Sequence, residues 1–186
     1  MSVNPVYYAY SGTIQGDRGV YDTEATLFQL FHNGTRSPVG TIRDHLLALD
    51  IRDTAILCFG KELFFHALYD TPILTHSTSS FCTHNGGFPV ELHSFWMSGQ
   101  HFLEHDGHLY PVTASVIRSG ERWELAIYDS SFSEAGNVLS HPLIGEIIVR
   151  KNQNRFACNV RIDKELPAEL AMAIVSLPFT YNILPG

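Results

Sequence analysis

The sequence predicts an α+β fold in which a mainly antiparallel β-sheet either covers a hydrophobic C-terminal helix or wraps it in a barrel-like form. Two strand–turn–strand patterns in the second half of the chain, and an almost wholly apolar helix pattern after them, carry this prediction. The 186 residues fit a single domain, 1–186. A composition with 45% apolar and 17% charged residues excludes an intrinsically disordered chain.

Two hairpins are predicted from alternation. The first joins Leu109–Ile117 to Arg122–Tyr128, and the second joins Ile144–Arg150 to Arg155–Ile162. In three of these strands, Leu109–Ile117, Arg122–Tyr128 and Arg155–Ile162, apolar residues recur at alternate positions, which is typical of a strand with one buried face. The final strand shows this most strictly, with apolar residues at Phe156, Cys158, Val160 and Ile162.

A C-terminal helix is predicted from Pro167, which suits the first helical turn, to Pro178, which is expected to stop it. Between Leu170 and Leu177 the only polar residue is Ser176. Because a helix that is apolar on nearly all sides is normally buried on nearly all sides, we expect it in the core.

Residues 143–177, two antiparallel strands followed by a hydrophobic helix, are similar to the same part of tubby-like and LURP-one-type barrels. In those folds the helix threads the barrel. The resemblance implies a fold and does not bear on function.

The N-terminal half gives weaker patterns. Thr41–Ile51 is predicted as a helix, because a capping residue precedes apolar residues on one helical face. Thr54–Phe59 is a short apolar run typical of a buried strand, and Gly60 is expected to end it. Residues 23–32 and 61–69 are compatible with either strand or helix.

Charge and cysteine content exclude several classes of protein. The chain has 12 Lys and Arg against 19 Asp and Glu, a formal charge of -7, so nucleic acid is not expected as the main partner. Apolar runs fall far short of a membrane span and the first twenty residues lack a secretory signal, so a soluble, cytoplasmic protein without membrane insertion is predicted. The odd, widely spaced Cys58, Cys82 and Cys158 indicate reduced thiols.

Six of the ten histidines fall between residues 76 and 108, interleaved with aromatic residues. The primary hypothesis is therefore a ligand-binding or protein-interaction domain with a cleft lined by histidine and aromatic side chains and no cofactor. Its partner would be a small molecule or a protein. The candidate binding residues are His76, His84, His93, Trp96, His101 and His105.

An alternative hypothesis is a thiol hydrolase or an acyl transferase or deamidase. Cys82 would be the nucleophile, His108 the base at the start of a strand, and Asp129 the orienting acid at the end of the paired strand. The order of these three residues resembles that of papain-like and transglutaminase-like enzymes. The resemblance covers residues 82–129.

A second alternative is a transition-metal site. If residues 100–108 were helical, His101, Glu104, His105 and His108 would line one face. The Asp-Gly pair at 106–107 disfavours that helix. In a strand, Glu104 would point away from His101 and His105, and the set would separate.

Overall fold

A computed structural model describes the fold at residues 4–13, 25–43, 46–51, 54–68, 71–83, 90–95, 100–117, 121–130, 142–163 and 165–180. This part of the chain holds twelve strands and one helix. The strands are β1 (Val6–Thr13), β2 (Ala25–Leu30), β3 (Arg36–Arg43), β4 (Leu46–Ile51), β5 (Thr54–Leu68), β6 (Thr71–Thr83), β7 (Val90–Phe95), β8 (Gln100–His105), β9 (His108–Ile117), β10 (Arg122–Tyr128), β11 (Leu143–Asn152) and β12 (Arg155–Ile162). The helix is α1 (Ala168–Thr180).

The strands form one antiparallel sheet in which each strand pairs with its neighbours in sequence. In addition, β1 pairs with β12 along its whole length, opposing Val6 to Ile162 and Thr13 to Arg155. Since β1 also pairs with β2, the hydrogen-bonded order returns to its first strand. The prediction of a mainly antiparallel sheet with a C-terminal helix is confirmed.

Both predicted hairpins are present, as β9–β10 and β11–β12. Alternation decides which face of each strand enters the core. On β12 the apolar residues Phe156, Cys158, Val160 and Ile162 are buried, whereas Arg155 before them and Asn159 among them are exposed. The sequence pattern therefore determined both the strands and their inward face.

The core is centred on α1, whose residues from Met172 to Leu177 are fully buried. The helix contacts β4, β5, β6 and β7 and also β11. The Tyr10 hydroxyl on β1 donates a hydrogen bond of 2.9 Å to the Val175 carbonyl. None of the helical segments in the described residues has the length and apolarity to cross a membrane.

The helix does not stop at Pro178 as predicted. It continues to Thr180 with Pro178 in its last turn. Proline lacks the N–H that would bond to the carbonyl four residues earlier. The last turn of α1 accommodates that loss, and the Pro178 side chain is buried in the core.

The prediction of a helix at Thr41–Ile51 was wrong, because this stretch forms the end of β3 and the whole of β4. Ile42 faces Ala25 of β2 on one side and Leu47 of β4 on the other. An isolated helix of about eleven residues is marginal in water, whereas ladders on both sides satisfy the backbone of this segment.

The expected end of the strand at Gly60 was also wrong. β5 runs through Gly60 to Leu68, and its register against β6 shifts between Cys58 and Lys61. Glycine within a strand often marks such an irregularity. The two ambiguous segments contribute strands, β2 and the second part of β5.

Candidate functional site

The outer face of β7 and β8 gathers polar and aromatic side chains from the histidine-rich segment. On β7, Val90, Leu92 and Ser94 are buried, so the residues between them face away from the core. On β8, Leu103 and His105 are buried, and Glu104 lies on the opposite face. The outward residues that form the β7–β8 site are Glu91, His93, Phe95, Phe102 and Glu104.

Three of these side chains converge on one point. The Nε2 atom of His93 lies 3.0 Å from Oε2 of Glu104 and 3.4 Å from Oε2 of Glu91. One potential ligand atom from each residue lies within 4.8 Å of the others. The His93 side chain is 16% exposed, against 41% and 42% for the two glutamates, so the imidazole forms the floor of the cluster.

The two carboxylates of this cluster occupy directly facing positions, because Glu91 is the cross-strand partner of Glu104. Like charges at such positions destabilise a sheet by about 0.2–1 kcal/mol. A positive charge between them reverses the sign of the interaction.

Aromatic side chains border the cluster. The rings of Phe95 and Phe102 lie 5.4 Å apart at an angle of 49°, and Phe102 is the cross-strand partner of His93. An apolar surface therefore adjoins a charged one, which is the combination found in ligand sites.

The predicted binding residues do not all lie in this site. His93 is at its centre, whereas His101 faces Ser94 on β7 and Val112 on β9, both of which are buried. His105 is buried, with its Nε2 3.7 Å from Oδ2 of Asp106. The backbone of His76 lies on β6, and His84 and Trp96 lie outside the described residues.

Two members of the proposed thiol triad, Cys82 and His108, lie on separate strands. Cys82 is on β6, where its backbone faces Leu57 of β5, and His108 begins β9. β7 and β8 lie between those strands, which corresponds to roughly 14 Å at the usual strand spacing. The strand order does not bring Cys82 and His108 together, and the triad stays a prediction from the sequence.

His108 and Asp129 do lie toward the same end of the β9–β10 hairpin, as expected from their positions in the sequence. Asp129 follows β10, and its backbone N–H donates to the Pro142 carbonyl at 2.9 Å. The negative charge of the Asp129 carboxylate acts on Tyr110 of β9. Burial raises the pKa of the Tyr110 hydroxyl, and the charges of Asp129 and Asp106 raise it further.

The helix considered for a metal site at residues 100–108 is absent. That stretch is β8, a turn and the start of β9, and the turn residues Asp106 and Gly107 have φ values of 50° and 76°. The strand separates Glu104 from the buried His105. Glu104 instead joins two residues of β7.

Glu91 is the site residue that the sequence reasoning missed as a metal ligand. It stands two positions before His93 in the alternating stretch V-E-L-H-S-F. Alternation places both on one face of a strand, and this was the available signal.

Cys158 is a core residue, as predicted. It is 1% exposed, and burial raises the pKa of its thiol to about 12 despite a hydrogen bond with Tyr10 that lowers it. Burial likewise raises the pKa of Tyr10. A thiol that ionises only at such high pH is a poor nucleophile.

Comparison with known proteins gives no match: no family model, no curated protein and no solved structure is significantly similar to this chain.

Proposed function

We propose that this protein is a binding domain that holds a divalent transition-metal ion on the outer face of its sheet. The ligands are the carboxylates of Glu91 and Glu104 and Nε2 of His93. The observation that carries the proposal is the convergence of these three donor atoms within 4.8 Å.

The spacing of the donor atoms fits a coordination sphere. Ligands placed tetrahedrally at about 2.0–2.2 Å from zinc are separated from each other by roughly 3.3–3.6 Å. The distances from His93 Nε2 to the two carboxylate oxygens are 3.0 and 3.4 Å. Only small side-chain adjustments are needed to admit an ion.

The donor types favour one group of metals. Imidazole suits zinc, iron, nickel and copper, whereas magnesium and calcium prefer sites made of oxygen alone. Two carboxylates and one imidazole therefore favour a transition metal or zinc. The two anionic ligands also neutralise the charge of the ion.

Three protein ligands leave a coordination position open. Structural zinc sites are closed by four protein ligands, while sites with three keep a position for an external group. The Phe95–Phe102 pair offers apolar contact beside that position. The bound partner is thus a small molecule or a protein segment with a metal-binding donor and an apolar neighbour.

The test is calorimetric titration of Zn²⁺ and Ni²⁺ into the full chain after treatment with a chelator. We expect one ion per chain. His93→Ala and Glu104→Gln each remove one ligand and should weaken binding by at least about tenfold.

The matched control is His108→Ala, which removes a histidine at the start of β9 that is not part of the cluster. It should bind the ion like the unmodified chain. An unmodified chain that binds no ion, or a His93→Ala variant with unchanged affinity, would disprove the proposal. Metal competes with protons for all three ligands, so affinity should fall on acidification.

A further inference from the structure

A second facing pair of like charges lies on β10 and β11. Arg122 is the cross-strand partner of Arg150. A cavity of about 410 Å³ opens beside them, near the ends of the β9–β10 and β11–β12 hairpins. Its lining consists of Ile117, Glu121, Arg122, Arg150, Lys151 and Asn152.

We propose that this cavity binds the phosphate group of a small molecule. Three cationic side chains line it, in a chain whose formal charge is -7. Two arginines at facing positions repel each other when the cavity is empty. A dianion between them turns that repulsion into attraction.

The side chains suit phosphate in particular. Each guanidinium presents a planar fork of donors that matches two phosphate oxygens, and lysine adds a point charge. Asn152 contributes an amide with two more donors. The volume lies at the lower end of the range for small-molecule sites, about 300–1,000 Å³, which favours a compact phosphorylated metabolite.

Two nearby carboxylates reduce the attraction of the cavity for phosphate. Nη2 of Arg122 lies 2.6 Å from Oε1 of Glu124, with both side chains more than one third exposed. Glu121 also lines the cavity. An arginine has five donors, so the ion pair leaves part of the Arg122 fork available and lowers its attraction for phosphate.

The backbone holds the cationic residues in place. The N–H of Lys151 donates to the Glu121 carbonyl at 2.8 Å. This bond ties the end of β11 to the residue that precedes β10. The two arginines are therefore carried by strands whose ends are joined on the cavity side.

The experiment measures binding of inorganic phosphate and glycerol phosphate to the full chain by calorimetry at low ionic strength. Arg150→Gln removes one cation from an exposed position and should weaken both ligands by about tenfold or more. Glu124→Gln releases Arg122 from its ion pair and should strengthen them. Melting temperatures without ligand verify that the variants are folded.

The matched control is Arg161→Gln. Arg161 does not line the cavity, and its Nη1 lies 3.4 Å from Oε2 of Glu146. It should leave phosphate binding unchanged. Equal losses in Arg150→Gln and Arg161→Gln would show only general charge attraction and overturn the proposal, as would absence of binding. Binding to phosphatidic acid vesicles without binding to glycerol phosphate would also overturn it, since the ligand would then be a lipid headgroup.

Discussion

The β7–β8 site and the cavity beside β10 and β11 have the same arrangement of charged residues, with opposite signs of charge. Each places two like charges at facing positions on the outward face of neighbouring strands, Glu91 with Glu104 and Arg122 with Arg150. Between the glutamates lies an imidazole, in a cluster less than 5 Å across. Beside the arginines lies a cavity of about 410 Å³.

The two proposed sites differ in the size of the ligand that their geometry would hold. Short carboxylates that converge on His93 enclose space for a single ion. Long guanidinium side chains beside a cavity leave space for a molecule. In both cases a facing pair of like charges costs stability unless an opposite charge compensates it, and this cost provides the driving force for binding.

The largest expected loss of stability comes from shortening side chains in the single core cluster that contains residues of both β8 and β11. Leu103 precedes Glu104 on β8, and Ile147 lies three positions before Arg150 on β11; both residues are fully buried. Leu103→Ala and Ile147→Ala each leave a cavity and should lower the free energy of unfolding by about 2–5 kcal/mol. Urea denaturation measures this loss. Losses confined to one variant would show that the two regions do not depend on a common core.

An intermediate effect tests the comparison directly. In buffer free of metal and phosphate, Glu91→Gln and Arg150→Gln each remove one of two facing like charges. We expect each to raise the free energy of unfolding by less than about 1 kcal/mol, and the gain should shrink at high salt. At Glu91 the lost contact between its Oε2 and Nε2 of His93, 3.4 Å long, offsets part of the gain.

The same two variants should lose metal and phosphate binding respectively, so stability and function would change in opposite directions. Destabilisation of either variant would contradict the comparison. It would mean that the protein itself already compensates those charges.

The smallest effect comes from a carboxyl group outside both sites. Burial raises the pKa of Asp163 above its ordinary value of 3.8; Arg161 opposes this and Glu165 adds to it. The folded state therefore binds the proton of Asp163 more tightly than the unfolded state does. At neutral pH, where the carboxyl is ionised, this lowers stability.

Asp163→Asn should accordingly raise the free energy of unfolding at pH 7 by less than about 0.5 kcal/mol, because solvent screens a carboxyl that is only partly buried. The advantage should disappear as the pH falls through the raised pKa and below 3.8, because the group is then protonated in both states. Urea denaturation at several pH values measures it. An advantage that persists at pH 3 would not come from the charge.

Much of the second half of the chain was predictable because its information is local. The alternation of Phe156, Cys158 and Val160 with polar residues predicts a strand with one buried face, and the structure has it. The apolar stretch before Pro178 predicts a buried helix in the same way. In the first half, the local pattern favours a helix at Thr41–Ile51. The segment forms strands instead, because β3 pairs with β2 on one side and β4 on the other.

The candidate site was predictable only as a region. The excess of histidines indicated residues 76–108, and alternation in β7 would have joined Glu91 to His93. Their meeting with Glu104 depends on the register of β7 against β8. No sequence pattern within a single strand predicts that register.

Sequence patterns alone predict the two hairpins, the inward faces of β10 and β12 and the burial of the C-terminal helix, since periodicity and apolarity act over neighbouring residues. The pairing of β1 with both β2 and β12 is visible only in the folded sheet. The folded sheet also decides which charges face each other, because cross-strand contacts join residues that are distant in sequence and depend on a register set by the whole sheet.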